Sequence, residues 1–344
     1  MVKKEVVKRI RKIKGRFRSR TPLSLNNPDT PAFVETGPAH VKGKPSQRQL
    51  IAFRTPPCTY GKCTMCGFGS GAVPSVTFDN LRAQLEAINL ITEGRVSLCT
   101  ESSFFHPKLP TDFLDFAFEL ISKTGIQEID LESSATGIIQ NIGKIERLKR
   151  ILRPGQQLFV GMGLESHDDF VRNVLIRKET SLQVFEEAVS ALASIGSGVY
   201  SYILLKPPGL REREAIEECI NTVRYFFETA KRAGIVHSRA TVKPLFIPEG
   251  TVVEVLFNEG LITTPKLWSL IEVLERVHHL GTIFVPLTDE NVASGRLPGN
   301  CDRCTERVRK AISRFSADQL IEPLKRLYCS CKKEWEKRVN ENAQ

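Results

Sequence analysis

A chain of 344 residues, 41% of them apolar, can bury a sizeable core, which excludes a disordered polypeptide. No run of eighteen apolar residues occurs, and the opening "MVKKEVVKRIRKIKGRFRSR" lacks an apolar stretch with a small-residue cleavage site, so neither a membrane span nor a secretory leader is expected and the protein is placed in the cytoplasm. The formal charge of +10 gathers at the two ends, with ten Lys/Arg against Glu5 in residues 1–20 and twelve against six Asp/Glu from Arg296 to Arg338; such ends suit a polyanionic partner, because each cation set on a phosphate releases counterions.

Residues 1–48 are taken as a basic N-terminal arm. From there to about residue 287 one rhythm repeats: a short apolar run, a turn, then a longer segment with apolar residues at three-and-four spacing. Strands are expected at "QLIAF", "RVSLC", "QEIDLE", "QLFVGMGLE", "VYSYILLK", "HSRATVKPLF" and "GTIFVP". Between them "FDNLRAQLEAINLI", "PTDFLDFAFELISK", "IGKIERLKRIL", "SLQVFEEAVSALASI", "REAIEECINTVRYFFETAKRA" and "TPKLWSLIEVLERVHHL" are expected as helices. Thr77, Thr111 or Asp112, and Thr180 or Ser181 stand where helix caps are needed. Strand-helix alternation means parallel strands joined by right-handed crossovers, in either a doubly wound sheet or a barrel. The loop "RLPGN" at 296–300 marks a boundary, so the body spans 49–295 and a basic extension 296–344.

Seven of the nine cysteines fall into two tight groups, which in a reducing compartment favours metal ligation over disulfides. The first is "CTYGKCTMC", with Cys58, Cys63 and Cys66 on the Gly-rich loop after the first expected strand, where α/β barrels place their ligand-binding loops. A structural zinc needs four donors. Three thiolates can instead hold three irons of a [4Fe–4S] cube and leave the fourth iron open.

This triad resembles that of the radical S-adenosylmethionine (SAM) superfamily, departing from its commonest C-x3-C-x2-C spacing by one residue and carrying Met65 where an aromatic is usual. The segments "LCTESSFF", "DLESSATG", "GMGLESHDDFVRNVLIRKETSLQ", "YILLKPPGLREREAI" and "KPLFIPEGT" resemble the strand-end segments of its methylthiotransferase-like and elongator-like branches. What the resemblance implies is a partial (β/α)6 barrel, a [4Fe–4S] cluster on Cys58, Cys63 and Cys66, and SAM held by a shell drawn from Glu101, Ser102, Glu132, Glu165, Ser166, Arg177 and Lys206. Each shell residue also has a structural alternative, as a strand-end cap or a surface ion pair.

The second group, Cys301, Cys304, Cys329 and Cys331, offers four thiols in two pairs, so a structural zinc is the first choice and an auxiliary iron–sulfur cluster its competitor. The sequence between the pairs is expected to form two short basic helices separated at Phe315 and Ser316. With the basic arm, the long-gap triad and the "GLES" strand, this knot resembles the radical SAM subunit of archaeosine synthase. That resemblance implies a tRNA substrate whose D-loop 7-cyano-7-deazaguanine carries a lysine, radical cleavage of the carbon–nitrogen bond in the lysine adduct to leave archaeosine, a lysine-transferring partner subunit and an external electron donor. The alternatives are another radical tRNA modification, such as methylthiolation or an elongator-like reaction, and a zinc-bound RNA-binding protein.

Overall fold

The structure, a computed structural model, describes residues 2–13, 22–288 and 292–341. Helix α1 (Val2–Lys12) comes first, then strand β1 (Phe33–Val41), paired antiparallel with β2 (Lys44–Phe53). Lys42 and Gly43 between them have φ of 48° and 76°, the left-handed pair that a tight hairpin requires. Strands and helices then alternate: α2 (Phe78–Glu86), β3 (Glu93–Thr100), α3 (Phe113–Ser122), β4 (Gly125–Glu132), α4 (Ala135–Gln140), α5 (Ile142–Ile151) and β5 (Gln157–Glu165). After these come α6 (Leu182–Ser194), β6 (Gly198–Leu205), α7 (Glu212–Arg232), β7 (Ser238–Pro244), α8 (Val252–Asn258), α9 (Leu267–Val277) and β8 (Thr282–Phe284). Three helices follow, α10 (Thr305–Asp318), α11 (Glu322–Lys325) and α12 (Ser330–Glu341).

Every strand lies beside its predecessor, in the order β1 to β8, and β2 to β8 are parallel. A doubly wound sheet reverses its strand order midway; this sheet never does, so the winding is that of a barrel. Outward residues such as Val96, Leu98, Ile129, Leu131, Val160 and Ile203 are buried against the helices. Thr77 and Ser181 cap α2 and α6 through their side chains, as placed from sequence.

The ladder stops at β1 on one edge and β8 on the other, and α10 fills the seam. Ala317 O lies 2.8 Å from His40 Nδ1 of β1, while Gln319 accepts from Ile283 N at 2.8 Å and donates to Ile283 O at 3.0 Å on β8. Ser316 Oγ accepts from Val285 N at 3.1 Å. Edge-strand groups left bare would invite pairing with other chains; here the extension takes up those of Ile283 and Val285 and packs against β1 through the His40 side chain. The expected break at Phe315 and Ser316 is absent because both are buried in this seam. The helix runs through them to Gln319, whose φ of 60° ends it.

The lumen carries charge. Arg95 pairs with Glu128 at 2.8 Å, and Arg239 pairs with Asp130 at 2.7 Å and Glu128 at 3.3 Å, all four buried. Phe159 and Tyr200 lie against the Arg239 guanidinium. Tyr200 fits because the facing position is Gly161, where any Cβ would collide with its ring. Among the described residues no helix is long and apolar enough to cross a membrane.

Candidate metal centres

Strands β2 to β7 end at Phe53, Thr100, Glu132, Glu165, Leu205 and Pro244, and the cysteine loop lies over that end. It is clamped from two sides. Thr64, fully buried, donates from N to Ile176 O at 2.9 Å and from Oγ1 to Leu175 O at 2.9 Å, and its carbonyl accepts from Val253 N of α8 at 3.1 Å. Glu101 accepts from Gly69 N, and Arg54 Nη1 donates to Gly71 O at 2.8 Å. Gly67 and Gly71 permit this closeness, since a Cβ at Gly67 would lie 2.6 Å from Pro248 Cβ and one at Gly71 would meet the Glu101 carboxylate. Met65 packs in the apolar cluster of Val6, Ile10, Val171 and Leu175, which accounts for an apolar residue there.

Burial sets the chemistry of the thiols. It pushes Cys66 up to about 12, with the charge of Cys63 adding to it, and raises Cys63 against the opposing pull of the Lys178 ammonium. Lys178 Nζ is 3.1 Å from Glu165 Oε1, and both groups crowd the space above Gly163. Burial alone would lower Lys178, but Glu165 and the neighbouring thiols raise it, so its charge is fixed. Thiols held in this way ionise when a positive centre binds them, because a coordinating thiol is deprotonated outright. An iron–sulfur core suits the donor set.

Among the described residues, the one group of three or more ligating side chains whose donor atoms all lie within 4.8 Å of one another is Cys301, Cys304, Cys329 and Cys331. Among the described residues no such close group includes Cys58, Cys63 or Cys66, so their three sulfurs do not all lie within that distance of one another. In the four-cysteine group the sulfurs are 3.5 Å apart for Cys301–Cys304 and Cys304–Cys331, and 3.6 Å for Cys301–Cys329. Trp268 Nε1 donates to Cys331 Sγ at 3.3 Å, an outer contact of the kind that orients metal ligands. The α10 amino terminus fixes the first pair: Cys304 N donates to Cys301 O at 3.1 Å, and Cys304 stands at the position just before the helix, with no side-chain cap bond.

The shell residues named from sequence separate into two sets. Glu165 and Glu132 stand at strand ends facing the lumen mouth. Glu165 has φ of 64°, an uncommon conformation for a residue with a side chain that functional sites often store. Glu132 accepts from Tyr200 OH at 3.1 Å and from Tyr202 OH; burial raises its carboxyl above the ordinary range, and the two tyrosines pull the other way. Glu101 organises the loop through Gly69. Ser102 is half-buried, and its Oγ has no hydrogen-bond partner among the described residues, which leaves a polar atom for a ligand.

The other three point elsewhere. Ser166 Oγ donates to Glu218 of α7 at 2.5 Å and accepts from Asp168 N at 3.1 Å, so it is engaged with the helical layer. Lys206 pairs with Glu212 at 2.5 Å and donates to Thr263 Oγ1 at 2.8 Å. Arg177 donates to Ile10 O and to Ile13 O at 3.2 Å, closing the carboxyl end of α1, while its own carbonyl accepts from Tyr60 OH at 2.5 Å. It thereby ties the first helix to the cysteine loop. Residues missed from sequence are Lys178, Tyr60, Tyr200 and Tyr202; Lys178 follows Arg177 directly, and a positive φ of 57° at Arg177 sends the two side chains to different places.

No protein-family profile matches the sequence. It is 27% identical to archaeosine synthase subunit beta of Methanosarcina acetivorans, over 93% of each protein, and 28% identical to archaeosine synthase subunit beta of Thermococcus kodakarensis, over 88% of this protein and 94% of that one. Among solved structures it is similar to archaeal Methanocaldococcus infernus Elp3 with an N-terminal deletion, at 14% identity and a TM-score of 0.47, covering 70% of this protein and 59% of that one. Over nearly its whole length, then, the protein is similar to archaeosine synthase subunit beta, the subunit that its cysteine triad, "GLES" strand and terminal cysteine knot resemble.

Proposed function

We propose that this protein is a radical SAM enzyme that acts on tRNA in archaeosine formation. The observation that carries this is the half-buried triad of Cys58, Cys63 and Cys66 on a loop clamped over the barrel mouth, with Lys178 and Glu165 beside it. A [4Fe–4S] cluster on Cys58, Cys63 and Cys66 supplies, when bound, the electron that splits SAM into methionine and a 5′-deoxyadenosyl radical. The protein's own residues bind, orient and exclude water. The Lys178 ammonium would offset the negative charge of the thiolates, Ser102 and Glu165 offer polar groups for the SAM methionine end or ribose, and the buried Arg95–Glu128–Asp130–Arg239 cluster fills the lumen, which favours substrate entry from the mouth.

The substrate is tRNA carrying a lysine adduct of 7-cyano-7-deazaguanine. Cleavage of the carbon–nitrogen bond in the lysine adduct leaves archaeosine on the tRNA. Support comes from the two relatives named archaeosine synthase subunit beta, and that word "beta" favours a partner subunit, here the lysine-transferring one. The outer face of α1, where Lys3, Lys4, Lys8, Arg11 and Lys12 gather round half-exposed Phe170, suits the tRNA backbone. A tRNA substrate favours the cytoplasm. Electrons come from an external donor.

The four-cysteine group is proposed to hold one zinc ion. Tetrahedral zinc with bonds of about 2.3 Å sets its sulfurs about 3.8 Å apart, close to the spacing found, whereas ligands on separate irons of a cube stand farther apart. Incubating the reconstituted protein with reductant, SAM and lysine-adduct tRNA, followed by nucleoside mass spectrometry, tests the reaction. Archaeosine should appear with 5′-deoxyadenosine; a methylthio or carboxymethyl nucleoside in its place would assign a different radical modification.

A further inference from the structure

At the mouth end of the barrel but outside the strand ring, a cavity of about 580 Å³ is bounded by the loop after β6, the turn between α8 and α9, and α12. This lies within the range of roughly 300–1,000 Å³ typical of ligand pockets. Its floor is apolar, with Phe257, Ile262 and Val339, and its rim is cationic, with Arg211, Lys266 and Arg338 all exposed. The one acid in the lining, Glu212, is already engaged by Lys206 Nζ at 2.5 Å, Lys266 N at 2.8 Å and Ser269 Oγ at 2.5 Å. Arg211 lies 3.6 Å from Glu214, so the net positive charge of the rim rests on Lys266 and Arg338.

The cavity adjoins α1. A Cβ at Gly209 of the β6 loop would lie 3.2 Å from Val6 Cγ1, and Arg9 pairs with Glu259, next to Gly260 on the cavity wall. On this side α1 presents Val6 and the Arg9–Glu259 pair, and the cavity beside it offers an apolar lining with an aromatic ring and exposed cations. That combination matches single-stranded nucleic acid, whose bases seek aromatic and apolar surfaces while its phosphates seek Lys and Arg.

We infer that this cavity is a second RNA-holding site, taking one unstacked nucleotide of a looped or single-stranded segment, with its base over Phe257 and its flanking phosphates on Arg211, Lys266 and Arg338. The inference rests on the tRNA activity proposed above and adds where the RNA body is gripped while its target base is at the mouth. Base-modifying enzymes must take the target out of its stack, and a second grip on neighbouring unpaired nucleotides holds the deformed loop open.

The test compares tRNA affinity across a salt series for the holoenzyme, for K266E/R338E, for F257L, which keeps an apolar floor without the ring, and for the α1 variant K4E/K8E/K12E. Melting temperature and iron content verify that each variant is folded and loaded. K266E/R338E should flatten the slope of log affinity against log salt by about 1.4, or about 0.7 per lost single-strand phosphate, and F257L should weaken binding about fivefold or more with the slope unchanged. An unaltered slope and affinity in both pocket variants, while the α1 variant loses binding, would overturn the inference and leave the tRNA reading intact. Loss of binding to the partner subunit with tRNA affinity unchanged would assign the pocket to an acidic protein surface and overturn it as well. Failure of the unmodified holoenzyme to bind tRNA at all would remove the tRNA reading itself, and this site with it.

Discussion

Lys178 is the residue on which the electrostatics of the thiol triad turn. Its ammonium lowers both Cys63 and Cys66 while sitting 3.1 Å from Glu165. Lys178→Met keeps the length and removes the charge, so the thiols rise further and iron retention should fall several-fold on desalting; iron content equal to that of the parent protein would contradict this role. Glu132 gives a pH test. Its carboxyl is raised above 4.5 by burial, so the native state holds that proton more tightly than the unfolded state does. The resulting stability is complete below about 4.5 and is lost as pH rises through the raised value. Glu132→Gln stays neutral throughout, so its melting temperature should improve relative to the parent protein as pH rises toward neutrality. A relative stability that falls with pH would mean the Tyr200 and Tyr202 hydrogen bonds outweigh burial. The cysteines were legible in the sequence because their spacing carries the chemistry. Lys178 was not, because its neighbour Arg177 fitted the resemblance and only the backbone turn tells them apart. Glu128, Asp130, Arg95 and Arg239 look like the solvent face of alternating strands; only closure of the sheet turns that face inward.

At the scale of elements, α1 departs most from what its composition suggests. Ten Lys/Arg in twenty residues read as a solvated arm, yet Val6 and Ile10 are buried among Val171, Leu175 and Leu256, on the same elements that clamp Thr64. Val6→Asp should therefore raise hydrogen exchange across residues 58–66, whereas Lys4→Glu should leave it alone and weaken only RNA binding; equal exchange in both would uncouple α1 from the loop. β1 was missed for a related reason. "FVETGPAHV" carries Gly37 and Pro38 and is exposed on alternate residues, as an edge strand can be, so its apolar content is too thin to stand out beside "QLIAF". Helix α10, spanning β1 and β8, depends on the cysteine knot at its amino terminus. Chelating the ion held there, or Cys304→Ser, should speed exchange first in β1 and β8; a first loosening at β4 or β5 would show that the seam does not depend on the knot.

Across the whole molecule, the repeating strand-helix rhythm was readable because seven buried strands each leave an apolar run, and the barrel was separable from a doubly wound sheet only by strand order, which no local pattern encodes. The placement of charge does carry over. The basic face of α1, the rim cations of the outer cavity and the basic extension all lie on a protein whose lumen charges are internally paired, so the excess that remains is directed outward, toward a polyanion. The proposed chemistry requires that the triad alone build the reactive centre while the terminal cysteine knot binds a different ion. Iron, acid-labile sulfide and zinc, measured per protomer after anaerobic reconstitution, separate the two sites. About four irons and four sulfides with one zinc are expected in the parent protein, with the iron lost in Cys63→Ala and the zinc kept. Zinc without iron, or iron that survives Cys63→Ala and leaves with Cys304→Ser, would refute that division of labour.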